Sequence, residues 1–532
     1  MQHHAQDLMP PITRRRLLRG TLGSMAGVLA WHQGWPAMPR ARAQHDQPSG
    51  QMTWALHVAI APAWFDPAET PGITTPLMFL YALHDALVKP MPDGVMSLCL
   101  ATAWQESADG RTYDFTLRQG VTFHNGDPVT AEDVQFSFER YRGSGAADLK
   151  KHVKTIEIVH PHQVRFHLHA PWPDFLTFYC TPATGAAWVV PKRYIEKVGD
   201  EGFKQHPVGA GPYRFVSHQP GVEVVMEAST AYWRKTPHVK RLVMKSIPDP
   251  TTRLAMLKRQ EADVAYGMYA AVAEDIRRDP TLTLHPTTTP ATMWLVFTHA
   301  QYDPASPWAD RRVRLAANHA LNRQAVNDAE TLGYSVNAAS IIPQAFEYAL
   351  PLEPYAYEPP RAKQLLQEAG YPNGFDFGEC SVDAVYTGTV EAVVNDLAAV
   401  GIRGTVRALE RGAFLAAHKD HTFKHLAFQY SGAFGNAATR LEAFAYSKGA
   451  GSWLRDPEID ALYDRQATER DRPTRAALLH QIQQKLYDEA RFLPIWELSF
   501  LCASGPRVAV SGVGLIKFHL YSAPFEEVRV KA

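Results

Sequence analysis

Apolar and polar residues alternate through several short stretches of the first half of the chain, the period-two signature of half-buried strands. "MTWALHVAI" (52–60) is the first such stretch. "RTYDFTLR" (111–118) turns Tyr113, Phe115 and Leu117 to one side. "HQVRFHLH" (162–169) does the same with Val164, Phe166 and Leu168, which puts Arg165, His167 and His169 on the outer face. That row could hold an anion, and a solvated sheet face explains it as well. "PYRFVSHQPGVEVVMEA" (212–228) predicts a hairpin turning at Gln219-Pro220-Gly221. In 238–267 a strand is followed by Asp249-Pro250, a helix cap and first residue, then a helix and the strand "DVAYG". Short links make this a βαβ unit with parallel strands.

From about Thr292 the pattern restarts with the strand "MWLVFT". A long helix is predicted over "ADRRVRLAANHALNRQAV", with Val313, Ala316, Ala320 and Leu321 as its apolar stripe. Further helices follow at 358–370 and over "TGTVEAVVNDLAAVGI", then the strands "GTVRAL" and "FKHLAFQYS". "DPEIDALYDRQATE" (456–469) repeats the Asp-Pro helix start. A last helix ends near Arg491, and "FLPIWELSF" and "LIKFHLY" are expected as closing strands. The architecture is α/β with at least two lobes.

"GVTFHNGDPVTAEDVQFSFER" (120–140) crowds His124, Asn125, Asp127, Glu132 and Asp133 together, as a catalytic cluster would. Local chemistry accounts for most of it. Asn125-Gly126 makes a tight turn, and Thr130 caps a helix with Asp133 as the reciprocal N3 partner. Only His124 lacks a structural assignment.

The length of 532 residues implies two or three structural units, and 46% hydrophobic with 20% charged residues describes an ordinary folded chain. The first residues read as an export signal. Thr13 to Arg19 is a twin-arginine stretch, Gly20 to Trp31 is an apolar run too short to span a bilayer, and Ala41-Arg42-Ala43 is a cleavage pattern. The expected signal peptide is 1–43, with Gln44 starting the mature chain. Its removal takes away six arginines and one acid and moves the net charge from 0 to −5. A nucleic-acid partner, which demands a dense basic surface, is not expected. Cys99, Cys180, Cys380 and Cys502 are widely spaced, form no CxxC pair and read as buried free thiols.

Catalytic motifs are not found: GxSxG, HExxH and a Gly-Lys phosphate loop are all missing from the sequence. His418, His421 and His425 could ligate a metal if one helix carried them, but a helix ending near Lys419 would separate them. No cofactor and no metal site are assigned.

The segment 100–141 resembles the signature region of the large bacterial solute-binding proteins that serve ABC importers of dipeptides, oligopeptides and nickel. The likeness continues through "LHDALVKPMPDG" (83–94), 207–233, 247–267, 310–326 and 361–377. The resemblance implies a two-lobed periplasmic-binding-protein-like fold of the large class, joined by a pair of crossover strands around a ligand cleft. It maps the first lobe to 44–91, 207–286 and 500–532, an inserted subdomain to 92–206 and the second lobe to 287–499. It implies a non-enzymatic periplasmic monomer that captures a peptide-like or other small organic solute and hands it to an ABC permease in the inner membrane. A secreted carboxylate- or metal-dependent hydrolase and a nickel-chelate binder of the same fold are the alternatives.

In peptide-binding members of this family an acid in the segment matching 429–444 pairs the ligand ammonium. Here no acid appears before Glu442; Ser431, Asn436 and Arg440 stand there instead. Either Asp66 or Asp383 substitutes, or the ligand is acidic or blocked, with Arg440 meeting its carboxylate. Trp64, Phe65, Trp294, Tyr386, Tyr430 and Phe434 complete the expected ligand-binding set, as aromatics at strand ends and loops.

Overall fold

The computed structural model describes residues 47–531 apart from 70–74, 144 and 181–183. The expected signal peptide and its cleavage point lie outside the described residues. Among the described residues an eleven-stranded sheet runs through the whole molecule. At one end Tyr213–Gln219, Glu223–Ala228, Val239–Ser246, Ser49–Leu56 and Val264–Tyr266 are neighbours in that order. At the other are Leu426–Ser431, Phe375–Asp383 and Ile402–Leu409.

Two long antiparallel strands, Thr283–Val296 and Phe492–Ser504, join the ends. Their register is regular from Thr283↔Ser504 to Thr288↔Ser499, breaks, and resumes at Thr292↔Glu497. On one side of the break Ser504 to Cys502 pair with Val264–Tyr266; on the other Thr292 to Val296 pair with Leu426–Ser431. Each strand therefore serves both halves of the molecule, and the irregularity, which contains Pro290, marks the place where a ladder can bend.

Local chemistry sets many of the elements. Asp249 accepts from Thr252 N at 2.7 Å and starts the helix Pro250–Lys258. Asp456 and Asp471 cap the helices Pro457–Gln466 and Arg472–Asp488 in the same way. The hairpin turns at Gly221, whose φ of 71° suits glycine. The strands of the βαβ unit are parallel, with Ser49–Leu56 between them.

Two expectations need correction. The long helix is two, Arg311–Ala320 and Arg323–Thr331, because Asn322 turns its side chain to Ala325 N (3.1 Å) and caps the second. "LIKFHLY" is not a strand. Phe518 takes a left-handed φ of 64°, and His519, Leu520 and Tyr521 are buried consecutively rather than in alternation.

A separate four-stranded antiparallel sheet, ordered Ala101–Glu106, Thr112–Leu117, Gln163–Leu168, Val153–His160, carries the helix Ala131–Arg140. Tyr113, Phe115, Leu117, Val164, Phe166 and Leu168 are buried as their alternation implies. Two of the three outer residues are paired with acids: Arg165 meets Asp114 (2.8 Å) and His167 meets Glu157 (2.9 Å). The crowded stretch before the helix is structural. Thr130 and Asp133 form the capping box. His124 is structural too: Nδ1 accepts from Gly209 N and Nε2 donates to Gly211 O, and burial lowers its pKa to about 4.

Candidate functional site

Loops and helix starts converge beyond the carboxyl ends of parallel strands, and ligands of open α/β sheets gather there. In one half these ends are Leu56, Ser246 and Tyr266; in the other they are Asp383, Leu409 and Ser431. Beyond the first set stand His57 and Tyr269, with Phe500 from a joining strand and Tyr521 from the C-terminal loop. The ring centroids of His57 and Phe500 are 5.5 Å apart, those of Phe500 and Tyr521 also 5.5 Å, and those of Tyr269 and Phe500 6.0 Å. Beyond the second set stand Tyr386, Arg411 and Tyr430, the two tyrosine rings 5.2 Å apart. The two groups lie within electrostatic reach. Burial pushes the Tyr269 and Tyr521 phenols up, and the facing hydroxyls of Tyr386 and Tyr430 push them the same way.

Each wall carries a cation. Arg411 begins the helix Arg411–Lys419, where the helix dipole disfavours positive charge. It is held there by Asp383 Oδ2 (2.9 Å) and Tyr430 Oη (2.7 Å). Asp383 is 1% exposed while the Arg411 side chain is 51% exposed. On the opposite wall Arg253 is buried. It donates to the carbonyls of Ile247, Pro248 and Gly267, each at 2.7 Å, and its Nε has no partner among the described residues. Burial, and then the Arg253 charge, lower the His57 pKa to about 4, so this ring is neutral at physiological pH.

The residues expected from sequence divide sharply. Tyr386 and Tyr430 are among the facing aromatics, and Ser431 lies beside them, half-buried. Trp64 packs on Phe79 (6.3 Å), and Phe65 is fully buried against Phe79, Phe215 and His218. Trp294 is buried and donates to Gln429 Oε1 (2.9 Å). Asp66 is buried in an ion pair with Arg140 (2.5 Å), so it has no charge to offer a ligand. Arg440 is 2% exposed and donates to the carbonyls of Ile341, Pro290 and Ala433; burial lowers its pKa to about 9. The two parallel bonds to a ligand carboxylate expected of it therefore have no place.

Asn436 caps the helix Ala437–Phe444 and donates to Asp174 Oδ1 at 2.7 Å. Phe434 is buried in the apolar cluster that includes Phe175. Both belong to a seam between the four-stranded sheet region and the second half, closed by the buried pair Asp174–Arg475. Sequence reading missed Arg411, Arg253, His57, Tyr269 and Tyr521. The signal was available in part: Arg411, Arg253 and Tyr269 follow the ends of predicted strands, whereas His57 lies inside the stretch 52–60 that alternation assigns to a strand, and the observed strand ends before it at Leu56.

The model of the family described as bacterial extracellular solute-binding proteins, family 5 Middle, matches residues 96–452. The chain belongs to this family. A glutathione-binding protein from Salmonella paratyphi A is 29% identical over 441 residues, covering 78% of this chain and 83% of the relative. Among solved structures, NikA from Brucella suis in complex with Fe(III)-EDTA matches with a TM-score of 0.78 at 23% identity, over 91% of this chain and 100% of its own. A dipeptide-binding protein from Pseudoalteromonas sp. SM9913, in complex with Met-Leu, matches with a TM-score of 0.73 at 23% identity and the same coverage. The fold is that of a two-lobed periplasmic binding protein, and the family serves ABC importers as their solute-binding component.

Other features of this family member do not form a rival site. Gln429 Nε2 donates to His418 Nε2 (2.9 Å), His421 Nε2 donates to Ser452 O (3.0 Å), and His425 lies against Gly378. Among the described residues no group of three or more His, Cys, Asp or Glu is arranged to hold a metal ion. The four cysteines are buried and unpaired. A cavity of about 450 Å³ is walled in part by His124, Arg214, Tyr232 and Trp233, whose polar groups have protein partners, and it lies away from the facing strand ends. No helix among the described residues is long and apolar enough to cross a membrane. The hydrolase alternative has no support.

Proposed function

We propose that the chain is the periplasmic receptor of an ABC importer, which traps a peptide-like or other small organic solute between its lobes and releases it unaltered to an inner-membrane permease. The observation that carries this reading is the pair of facing strand-end sets, each with tyrosines and one arginine, on either side of two shared strands. Lobe boundaries near 286/287 and 499/500 fit a hinge at the register break between Thr288 and Thr292, with 92–206 as a subdomain inserted in the first lobe. Closure about such a hinge is driven only by contacts that exist when both walls touch the solute. We place the protein in the periplasm as a monomer, with residues 1–43 removed after Ala43.

The relatives' names make glutathione and short peptides the first compounds to try. Small-angle scattering is the direct test. A bound solute should contract the radius of gyration, and a thermal scan at 100 times the dissociation constant should show about 2.7 kcal/mol of added stability. Turnover of the bound compound, detected by mass spectrometry, would refute the receptor reading.

A further inference from the structure

We infer that the solute presents a carboxylate to Arg411 and carries no ammonium that depends on a protein counter-charge. This deepens the receptor reading and rests on it. Three acids could have met an ammonium from the residues expected at the cleft, and each is committed elsewhere. Asp66 is fully buried against Arg140. Asp383 is buried against Arg411 and also accepts from Val385 N at 3.3 Å. Glu442, the first acid after the strand Leu426–Ser431, belongs to the seam, where it acts on Tyr463 and is acted on by Asp148 and Asp174.

Arg411 is the converse case. Of its five N–H donors, two are used on side chains, one to Asp383 and one to Tyr430. Those two bonds fix the plane of the guanidinium, whose carbon lies 5.9 Å from the Tyr430 ring centroid. The rest of the group is open, with half the side chain exposed. A planar donor fork with a set orientation matches a carboxylate through parallel charge-assisted bonds. Ordering the fork before the solute arrives lowers the cost of binding. The opposite wall adds no acid: Arg253 there is 3% exposed and spends its donors on the carbonyls of Ile247, Pro248 and Gly267, and His57 is neutral. The open charge between the walls is therefore that of Arg411, which favours an anion. An ammonium there would lose water next to this guanidinium.

Two probe sets separate these alternatives: tripeptides N-acetylated with a free C-terminal carboxylate, and the same tripeptides C-amidated with a free amino terminus. Calorimetric dissociation constants are measured for the native chain, Arg411→Gln and Arg411→Lys, with circular dichroism to verify folding. The acetylated set should bind about tenfold or more tighter than the amidated set. Arg411→Gln should weaken the acetylated set by roughly tenfold to a hundredfold, with Arg411→Lys in between. Equal or tighter binding of the amidated set, or an Arg411→Gln effect within about twofold, overturns the assignment. Scattering on the same samples tells the two failures apart. Contraction on binding that ignores Arg411 sinks only the carboxylate assignment, whereas no binding and no contraction with either set overturns that assignment together with the peptide-like solute of the receptor reading.

Discussion

At the seam, Asp174 accepts from Asn436 on one oxygen and pairs with Arg475 on the other, while Arg475 also donates to Gln466 Oε1 at 3.1 Å. Both charged side chains are about 95% buried, with exposures of 4% and 5%. At the cleft, Arg411 is also held by an acid, but half of it faces solvent. The same residue types thus meet the rest of the molecule in two ways. In the seam each charge is used up by the protein, which closes the surface and specifies how the parts fit. In the cleft the acid is buried behind the cation, so orientation is supplied internally and donor capacity is left over. Leftover donor capacity on a pre-ordered group distinguishes a binding wall from a packing interface.

The largest effect should come from breaking the seam. Arg475→Ala leaves Asp174 buried without its cation, and losing one partner of a buried pair costs about 3–5 kcal/mol. Urea unfolding should show that loss. The double variant Asp174→Leu/Arg475→Met should recover most of it, since the pair is replaced by apolar groups of similar bulk. A single-variant loss under about 1 kcal/mol would mean that the seam, which joins 92–206 to the second lobe, opens with the hinge in the solute-free chain and so contributes to closure rather than to folding.

A second test reads the seam through pH. Burial first, then Asp148, raise the Glu442 pKa from 4.5 to about 7, with a Tyr463 hydrogen bond and Lys151 opposing them. The folded state therefore holds this proton more tightly than the unfolded chain. The stability it contributes is full below pH 4.5 and is lost as pH rises through about 7. The shift corresponds to at most roughly 3 kcal/mol, and partial solvent access reduces that to about 2 kcal/mol. Glu442→Gln should match the native chain at pH 4, exceed its stability by about 2 kcal/mol at pH 8, and remove this slope. An unchanged slope in the variant would show that Glu442 is not packed against the seam acids.

The elements were legible in the sequence wherever the cause is local. Asp249, Asp456 and the Thr130–Asp133 box announce helix starts within four residues, and alternation around Phe115 and Phe166 announces buried strand faces. Local reading failed where one residue outweighs a pattern, as Asn322 does in splitting a helix and Phe518 in turning an apparent strand. The site was only half legible. Tyr386 and Tyr430 follow from the strand-end rule. Arg440 and Arg411 look equivalent as sequence, each in a polar segment near a strand end. What separates them is carbonyls 99 and 150 positions away from Arg440, at Ile341 and Pro290, against the acid 28 positions from Arg411. Asp66 fails as a ligand acid for the same reason, since Arg140 is 74 residues distant.

The smallest expected effect is the most discriminating. Tyr430→Phe keeps the ring under Arg411 and deletes only the hydroxyl that accepts from Nη2 at 2.7 Å. One partly exposed hydrogen bond contributes about 1 kcal/mol or less, so the unfolding midpoint should barely move. The solute should feel the change more than the fold does. Freed from Tyr430, the guanidinium can turn about its contact with Asp383, and a carboxylate must then order it on arrival. A loss of about threefold to fivefold in affinity is expected, at nearly unchanged stability. A stability loss without an affinity loss would reverse the assignment: Tyr430 would then belong with Asp174 and Arg475 as a packing group, and the cleft wall would have to be sought around Tyr269 and Tyr521 instead.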